Sequence, residues 1–225
     1  GFQNKGNDNA TFFTIKDQLP VNTIFDYPTG MTLPAGVTVN PFVNFDPITG
    51  NQLSGYNPAT RTIVFDINKS LVEIGDGLTK IRLKVVVADC EKLTDACSNI
   101  IDNQAYATYK GDINTAFSLS EDPSVNTYTG CLVTPKATNF LVGLENCKFN
   151  KSEVLCGNSV VLKAANGYDT YSWSSSPTGT PVLGTSQSLT VTAVGTYYVR
   201  NTAIAPCVSI VETITVTKFG GVVTN

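Results

Sequence analysis

The side chains able to do chemistry are few, and their types restrict what that chemistry can be. Cysteines stand at positions 90, 97, 131, 147, 156 and 207, and there is no histidine. Without histidine, Ser-His-Asp catalysis, Cys-His catalysis and every histidine-ligated zinc site are excluded. No Cys-x-x-Cys pair occurs, so the thiolates lack the close spacing that zinc favours. An even count then reads as disulfides formed in an oxidising compartment. Position suggests three local bridges. Cys90 ends one strand and Cys97 starts the approach to the next. Cys131 and Cys147 flank a connector. Cys156 precedes the first clear strand of the second half, and Cys207 opens its last. The expected pairs are therefore Cys90–Cys97, Cys131–Cys147 and Cys156–Cys207. For the middle pair the alternative is Cys131 to Cys90 or Cys97, since six cysteines allow many connectivities.

Carboxylates crowd two loops: Asp89, Glu91 and Asp95 in one, Asp112, Glu121 and Asp122 in the other. Calcium would need three or more converging oxygens, and neither loop has the alternating ligands and central glycine of an EF-hand. Solvated loop carboxylates are the default reading. The expectation is thus no cofactor, with calcium as the alternative. Trp173 is the lone tryptophan and sits in a strand pattern, so it is expected in a core rather than on a sugar platform. Tyr27, Tyr56 and Tyr128 are the aromatics best placed to face a sugar. No acidic pair stands out for glycoside hydrolysis, and the chain is read as not an enzyme.

These residues must be positioned by strands. The chain has 225 residues, 42% hydrophobic and 15% charged, enough to fill cores and too apolar for disorder. Net charge is −3 with no basic run, which disfavours nucleic acid and anionic membranes as partners. No apolar run reaches transmembrane length, so no membrane insertion is expected. Residues 60–67 and 79–88 alternate apolar and polar, Ile81, Leu83 and Val85 against Lys80, Arg82 and Lys84. A further strand is expected at 101–109, and the best helical candidate is one or two turns at 68–74. In the second half strands are expected at 158–165, 168–174, 187–193, 195–201 and 207–217. Pro- and Gly-bearing turns between them, such as Tyr27-Pro-Thr-Gly30, point to antiparallel sandwiches. Gly195-Thr-Tyr-Tyr-Val199 has the form of a tyrosine corner, with Val199 where antibody domains carry a cysteine.

The opening stretch resembles a widespread bacterial surface repeat. Asn4-Lys-Gly6, Ala10 and Asp17-Gln-Leu-Pro20 match its turn, strand and strand-end, and Thr62-Ile-Val-Phe65, Gly75-Asp-Gly77 and Lys80 to Ala88 match later parts. The likeness covers about residues 2–110, with the family's first strand missing. In the second half Cys156–Leu162, Tyr171-Ser-Trp173, Ser188–Val191 and Gly195–Val199 resemble immunoglobulin-like modules of Bacteroidota surface proteins. Together with Asp89-Cys90, Asp95–Ile101 and Asn103–Tyr109, the whole is similar to gliding-motility adhesins of the SprB type, exported by the type 9 secretion system. The resemblance implies an all-β protein of two tandem immunoglobulin-like antiparallel β-sandwich domains. The expected division is residues 1–129, a disulfide-clasped connector at 130–150, a smaller domain at 151–219 and a linker tail at 220–225. It also implies an extracellular, cell-surface segment of a long adhesin, monomeric and acting mechanically in attachment and gliding motility. Its partners would be neighbouring modules of the same chain, a surface polysaccharide, and secretion and motility machinery engaged outside this segment. The alternatives are a carbohydrate-binding module of a secreted polysaccharide-degrading enzyme, or a plain structural spacer.

Overall fold

The computed structural model describes residues 1–113, 115–119 and 137–220. Among these, regular structure is almost entirely strand, and the only helical elements are two 3-10 turns. None of the described helices is long and apolar enough to cross a membrane. The chain divides into two compact units. One comprises Gly1–Val87 and Asp102–Phe140, the other Ala88–Ile101 and Leu141–Asn225.

The first unit contains β1 (Ala10–Gln18), β2 (Thr23–Phe25), β3 (Met31–Thr32), β4 (Val37–Val39), β5 (Asn44–Phe45), β6 (Gln52–Asn57), β7 (Thr62–Ile67), β8 (Arg82–Leu83) and β9 (Val85–Val87). Next in the chain come β10 (Ile100–Asn103), β11 (Ala105–Gly111), β12 (Ser118–Leu119) and β13 (Thr138–Leu141). The main sheet runs β12-β11-β1-β7-β6-β5, with β4 also on β7. β1 is antiparallel to both neighbours, placing Asp17 opposite Ala105 on β11 and opposite Ile63 on β7. β7 is the most deeply buried strand. Ile63, Val64 and Phe65 are all closed off from solvent, as its unbroken apolar run demands. Its inward side chains pack with Phe2, Val37 and Val72, and with Met31 and Leu83 from the β3–β8 ribbon.

The Asn-x-Gly opening is a side-chain-built turn. The Gly6 amide donates to Asn4 Oδ1 at 2.9 Å, and Asn4 Nδ2 donates to the Val72 carbonyl at 2.8 Å. The Asp-x-Leu-Pro end is equally specific: Leu19 is buried, its amide bonds the Arg61 carbonyl, and Arg61 reaches back to the carbonyls of Leu19 and Thr23. Gly55 has φ +78°, and a Cβ there would lie 2.6 Å from the Phe42 carbonyl oxygen, so only glycine fits. The expected strand at 79–88 is broken into β8 and β9, which pair with β3 and β2 respectively. Ile81 and Leu83 face the core, while Val85 is exposed. The helical candidate at 68–74 is a single 3-10 turn, Lys69–Leu71, capped by Asn68.

The second unit contains β14 (Phe149–Leu155), β15 (Val160–Lys163), β16 (Thr170–Ser174), β17 (Val182–Gly184), β18 (Ser188–Val191), β19 (Gly195–Thr202) and β20 (Ile210–Lys218). A five-stranded sheet in the order β14-β20-β19-β16-β17 faces the β15–β18 pair. Leu162 and Val191 from the pair pack on Trp173, Tyr197, Val199, Ile214 and Val216 from the sheet, which is the immunoglobulin-like sandwich expected. Trp173 is fully buried, and the Tyr197 hydroxyl donates to the Ala193 carbonyl at 2.9 Å, completing the tyrosine corner. β14 and β17 escaped the sequence reading. In β14 only Phe149 is buried, so its alternation is faint.

The division differs from the one expected. Residues 88–101 group with the second unit instead of closing the first, and 141–150 belong to the second unit rather than to a connector. The cause lies in long-range bonds. The Tyr168 hydroxyl donates to the Thr94 carbonyl at 2.7 Å, the Asn166 amide to Asp95 Oδ1 at 2.8 Å, and Asn99 Nδ2 to the Val142 carbonyl at 3.1 Å.

Candidate functional site

The cysteines are joined differently from the positional expectation. Cys90 pairs with Cys147 and Cys97 with Cys207, with Cα separations of 5.4 and 4.5 Å. Neither Cys90–Cys97 nor Cys156–Cys207 forms, Cys156 is an exposed free thiol, and Cys131 lies outside the described residues. With Cys147 held by Cys90, the pair Cys131–Cys147 is also excluded. Both bridges tie the 88–101 segment to the second unit. The loop between Cys90 and Cys97 is a 3-10 turn, Cys90–Leu93, anchored by buried Leu93, rather than a hairpin closed on itself.

The acidic candidates do not assemble. Asp95 spends Oδ1 on the Asn166 amide, and Asp89 precedes the 3-10 turn without a side-chain cap. Among the described residues no three acidic or thiol side chains, Asp89, Glu91, Asp95 and Asp112 included, come together to hold a metal; Glu121 and Asp122 lie outside them. Of the aromatic candidates Tyr128 is also outside, whereas Tyr27 and Tyr56 meet. Their rings stack at 4.8 Å between centroids, and Phe25 sets its edge on Tyr56 at 5.6 Å. Trp173 donates Nε1–H to the Ser186 carbonyl and reaches no surface.

Two carboxylates missed by the sequence reading occupy interiors, one in each unit. In the second unit Glu212 is wholly buried. Its Oε1 accepts from the Ala165 amide at 2.7 Å and from Asn201 Nδ2 at 2.6 Å, and Oε2 forms an ion pair with Lys151 Nζ. Lys151 on β14, Glu212 on β20 and Asn201 on β19 are thus linked across adjacent strands. A buried carboxylate matched on both oxygens is stable in place. Its chemistry is spent on holding the sheet. The nearby Tyr168 hydroxyl is pushed well above its ordinary range, first by burial and then by Glu212 and Asp95.

In the first unit Asp17 is 6% exposed at the wall of a pocket of about 260 Å³. Phe2, Ile15, Phe65, Ile81 and Leu83 supply apolar lining, Asp17 and Asn103 are its polar side chains, and Gly1 and Ala105 complete it. Asn103 Nδ2 donates to Asp17 Oδ2 at 3.3 Å. Asp17 Oδ1 and Asn103 Oδ1 are buried and accept no hydrogen bond. Burial raises the Asp17 carboxyl above its ordinary value, against a smaller lowering by Asn103. Of all the described polar groups these fit a ligand best, because two orphan acceptors share one cavity wall.

A parity signal could have found both carboxylates. Asp17 shares its strand face with Phe13 and Ile15, and Glu212 shares its face with Ile210, Ile214 and Val216. Asn201 follows Tyr197 and Val199 in the same way. A polar residue at an inward position of an alternating strand is either paired or poised for a partner.

No protein-family model matches the chain, and no curated protein sequence matches it. Among solved structures it is similar to a two-domain fragment of the major pilin SpaD from Corynebacterium diphtheriae, at 12% identity and TM-score 0.36, covering 97% of this chain and 89% of that one. Full-length SpaD gives 12% identity and TM-score 0.35, with 94% of this chain on 59% of that one. A variant of BcpA, the major pilin subunit of Bacillus cereus, gives 8% identity and TM-score 0.32, with 94% on 60%. This chain spans about three fifths of the length of those last two. Similarity at this level leaves function to the residues themselves.

Proposed function

We propose that the chain is a non-enzymatic segment of an exported cell-surface adhesin, serving as a semi-rigid module that transmits force during attachment and gliding. The observation that carries this is the parallel pairing of β14 with β20, from Phe149↔Glu212 through Leu155↔Lys218. Both strands run the same way, so once the Cys97–Cys207 bridge, which otherwise carries load directly to the start of β20, is opened, tension entering at the start of β14 and leaving at the end of β20 pulls them in shear. Their hydrogen bonds must then break together rather than unzip one by one. The Lys151–Glu212 ion pair crosses the same seam. Disulfides support an oxidising, extracellular setting. Neighbouring modules of the same chain are the natural partners of such a unit, and type 9 export and gliding machinery belong to this reading through the resemblance set out above.

Single-molecule pulling on the chain between flanking marker domains tests it. With both bridges reduced the second unit should resist as one high-force event, and with them closed the released chain should be shorter. A second unit yielding at no higher force than the first would sink the mechanical reading. The stacked Tyr27–Tyr56 pair favours a second reading, a carbohydrate-binding module, because stacked rings offer a face to a sugar. A glycan array in which binding is lost on Tyr27→Ala would favour it over the plain adhesive rod.

A further inference from the structure

We infer that the pocket of the first unit binds the ammonium end of an aliphatic amine, the chemistry of a lysine side chain or of a free alkylamine. This goes beyond the mechanical role, which does not use the pocket. Its polar side chains are mainly acceptors: Asp17 Oδ1 and Asn103 Oδ1 are buried without partners, and one hydrogen of Asn103 Nδ2 is given to Asp17 Oδ2. An anion or a carbonyl could take the remaining Asn103 Nδ2 hydrogen, but the Asp17 carboxylate would repel the anion and offer the carbonyl nothing. A neutral alcohol could supply one hydrogen to one acceptor. An ammonium supplies three donors and a charge opposite to the carboxylate, so it satisfies both oxygens and returns to Asp17 the stabilisation that burial removed. The remaining lining, Ile15, Phe65 and Leu83 among it, is apolar and suits an alkyl stem. The volume of about 260 Å³ holds a short chain and excludes a large ligand.

Both polar residues are fixed by sheet geometry. Asp17 is held between β7 and β11, opposite Ile63 and Ala105, and Asn103 ends β10 one residue before β11 begins. The acceptors are therefore preformed rather than assembled on binding, which lowers the ordering cost for a small ligand.

The test uses n-butylammonium as probe on the full chain, followed by amide chemical-shift changes and by thermal melting. Saturable binding with a dissociation constant on the order of 1 mM is expected for so small a ligand. Shifts should concentrate on Asp17, Asn103 and Ala105, and n-butanol should bind about tenfold more weakly or worse. Asp17→Asn keeps shape and removes charge; it should weaken butylammonium at least tenfold while the variant still melts cooperatively. Ala105→Leu, at an exposed lining position directly across from Asp17, should block the pocket while leaving the carboxylate in the sequence. A blocked-terminus Ile-Lys-Val peptide separates the sources: tighter binding than butylammonium points to a lysine presented by protein, equal or weaker binding to a free amine. Absence of saturable binding, equal affinity for butanol, or unchanged affinity in both variants would overturn the proposal.

Discussion

Each unit places a carboxylate inside its fold, and the two are treated in opposite ways. Glu212 meets an amide, a carboxamide and a lysine, so both of its oxygens are matched. Asp17 meets one carboxamide, keeps one oxygen bare, and borders open volume. The Glu212 carboxylate is held on both sides, although Asn201 Oδ1 in its network has no partner. Asp17 leaves a carboxylate oxygen itself unmatched on a residue that lines a cavity, and so retains capacity for a ligand. The same contrast runs through the covalent ties. The described disulfides all lie within the second unit, and among the described residues the first unit has none. Under the two proposals above, one unit resists tension and the other keeps a place to bind.

The largest expected effect on this comparison comes from reduction. Opening Cys90–Cys147 and Cys97–Cys207, with sequence separations of 57 and 110, should destabilise the second unit by about 4 kcal/mol for each bridge. The first unit should melt unchanged, and non-reducing peptide mapping should recover these two pairs. A Cys90–Cys97 peptide would instead restore the local scheme and dissolve the contrast. Next in size is Glu212→Ala, which strands Asn201, the Ala165 amide and Lys151 together. A loss of about 3–5 kcal/mol from the second unit is expected in denaturant unfolding. A change below about 1 kcal/mol would mean that the network does not hold the β14–β20–β19 seam.

The smallest effect has the opposite sign. Asp17 has its carboxyl raised in the folded state above 3.8, so below that value both folded and unfolded chains are protonated and nothing is lost. As pH rises past 3.8 the unfolded chain ionises first, and the contribution of Asp17 to stability falls until the folded carboxyl has also ionised. Asp17→Asn removes that slope. The first unit should therefore gain stability at neutral pH and equal the parent near pH 3. A variant less stable than the parent at neutral pH would show that ionised Asp17 already has a partner and is not poised for one.

Much of the architecture was legible because it is local. The strand at 195–201 and its tyrosine corner are both present, and the lone Trp173 lies in the core as expected. The Asn4 turn follows from a short amide side chain bonding the backbone two residues on. The strand at 79–88 was legible as pattern but not as pairing, because its halves find partners in different ribbons. The two interior carboxylates were visible as breaks in alternation, yet nothing local distinguishes a paired Glu212 from a half-paired Asp17. Their partners lie 11 and 86 residues away. The stacking of Tyr27 on Tyr56 was likewise beyond reach of spacing, although both residues stood out as candidates.

The sequence by itself determined strand character, the alternation within the strands, the turn at Asn4, and the absence of histidine chemistry. These depend on backbone dihedral preference, side-chain period and composition, which each residue and its near neighbours carry. Tertiary structure alone decided that Cys97 reaches Cys207 rather than Cys90, that residues 88–101 join the second unit, and that Asp17 and Asn103 share a pocket wall. A disulfide or a cavity forms where two distant segments are delivered within a few ångströms, and that delivery is fixed by how the sheets close, not by residue type along the chain.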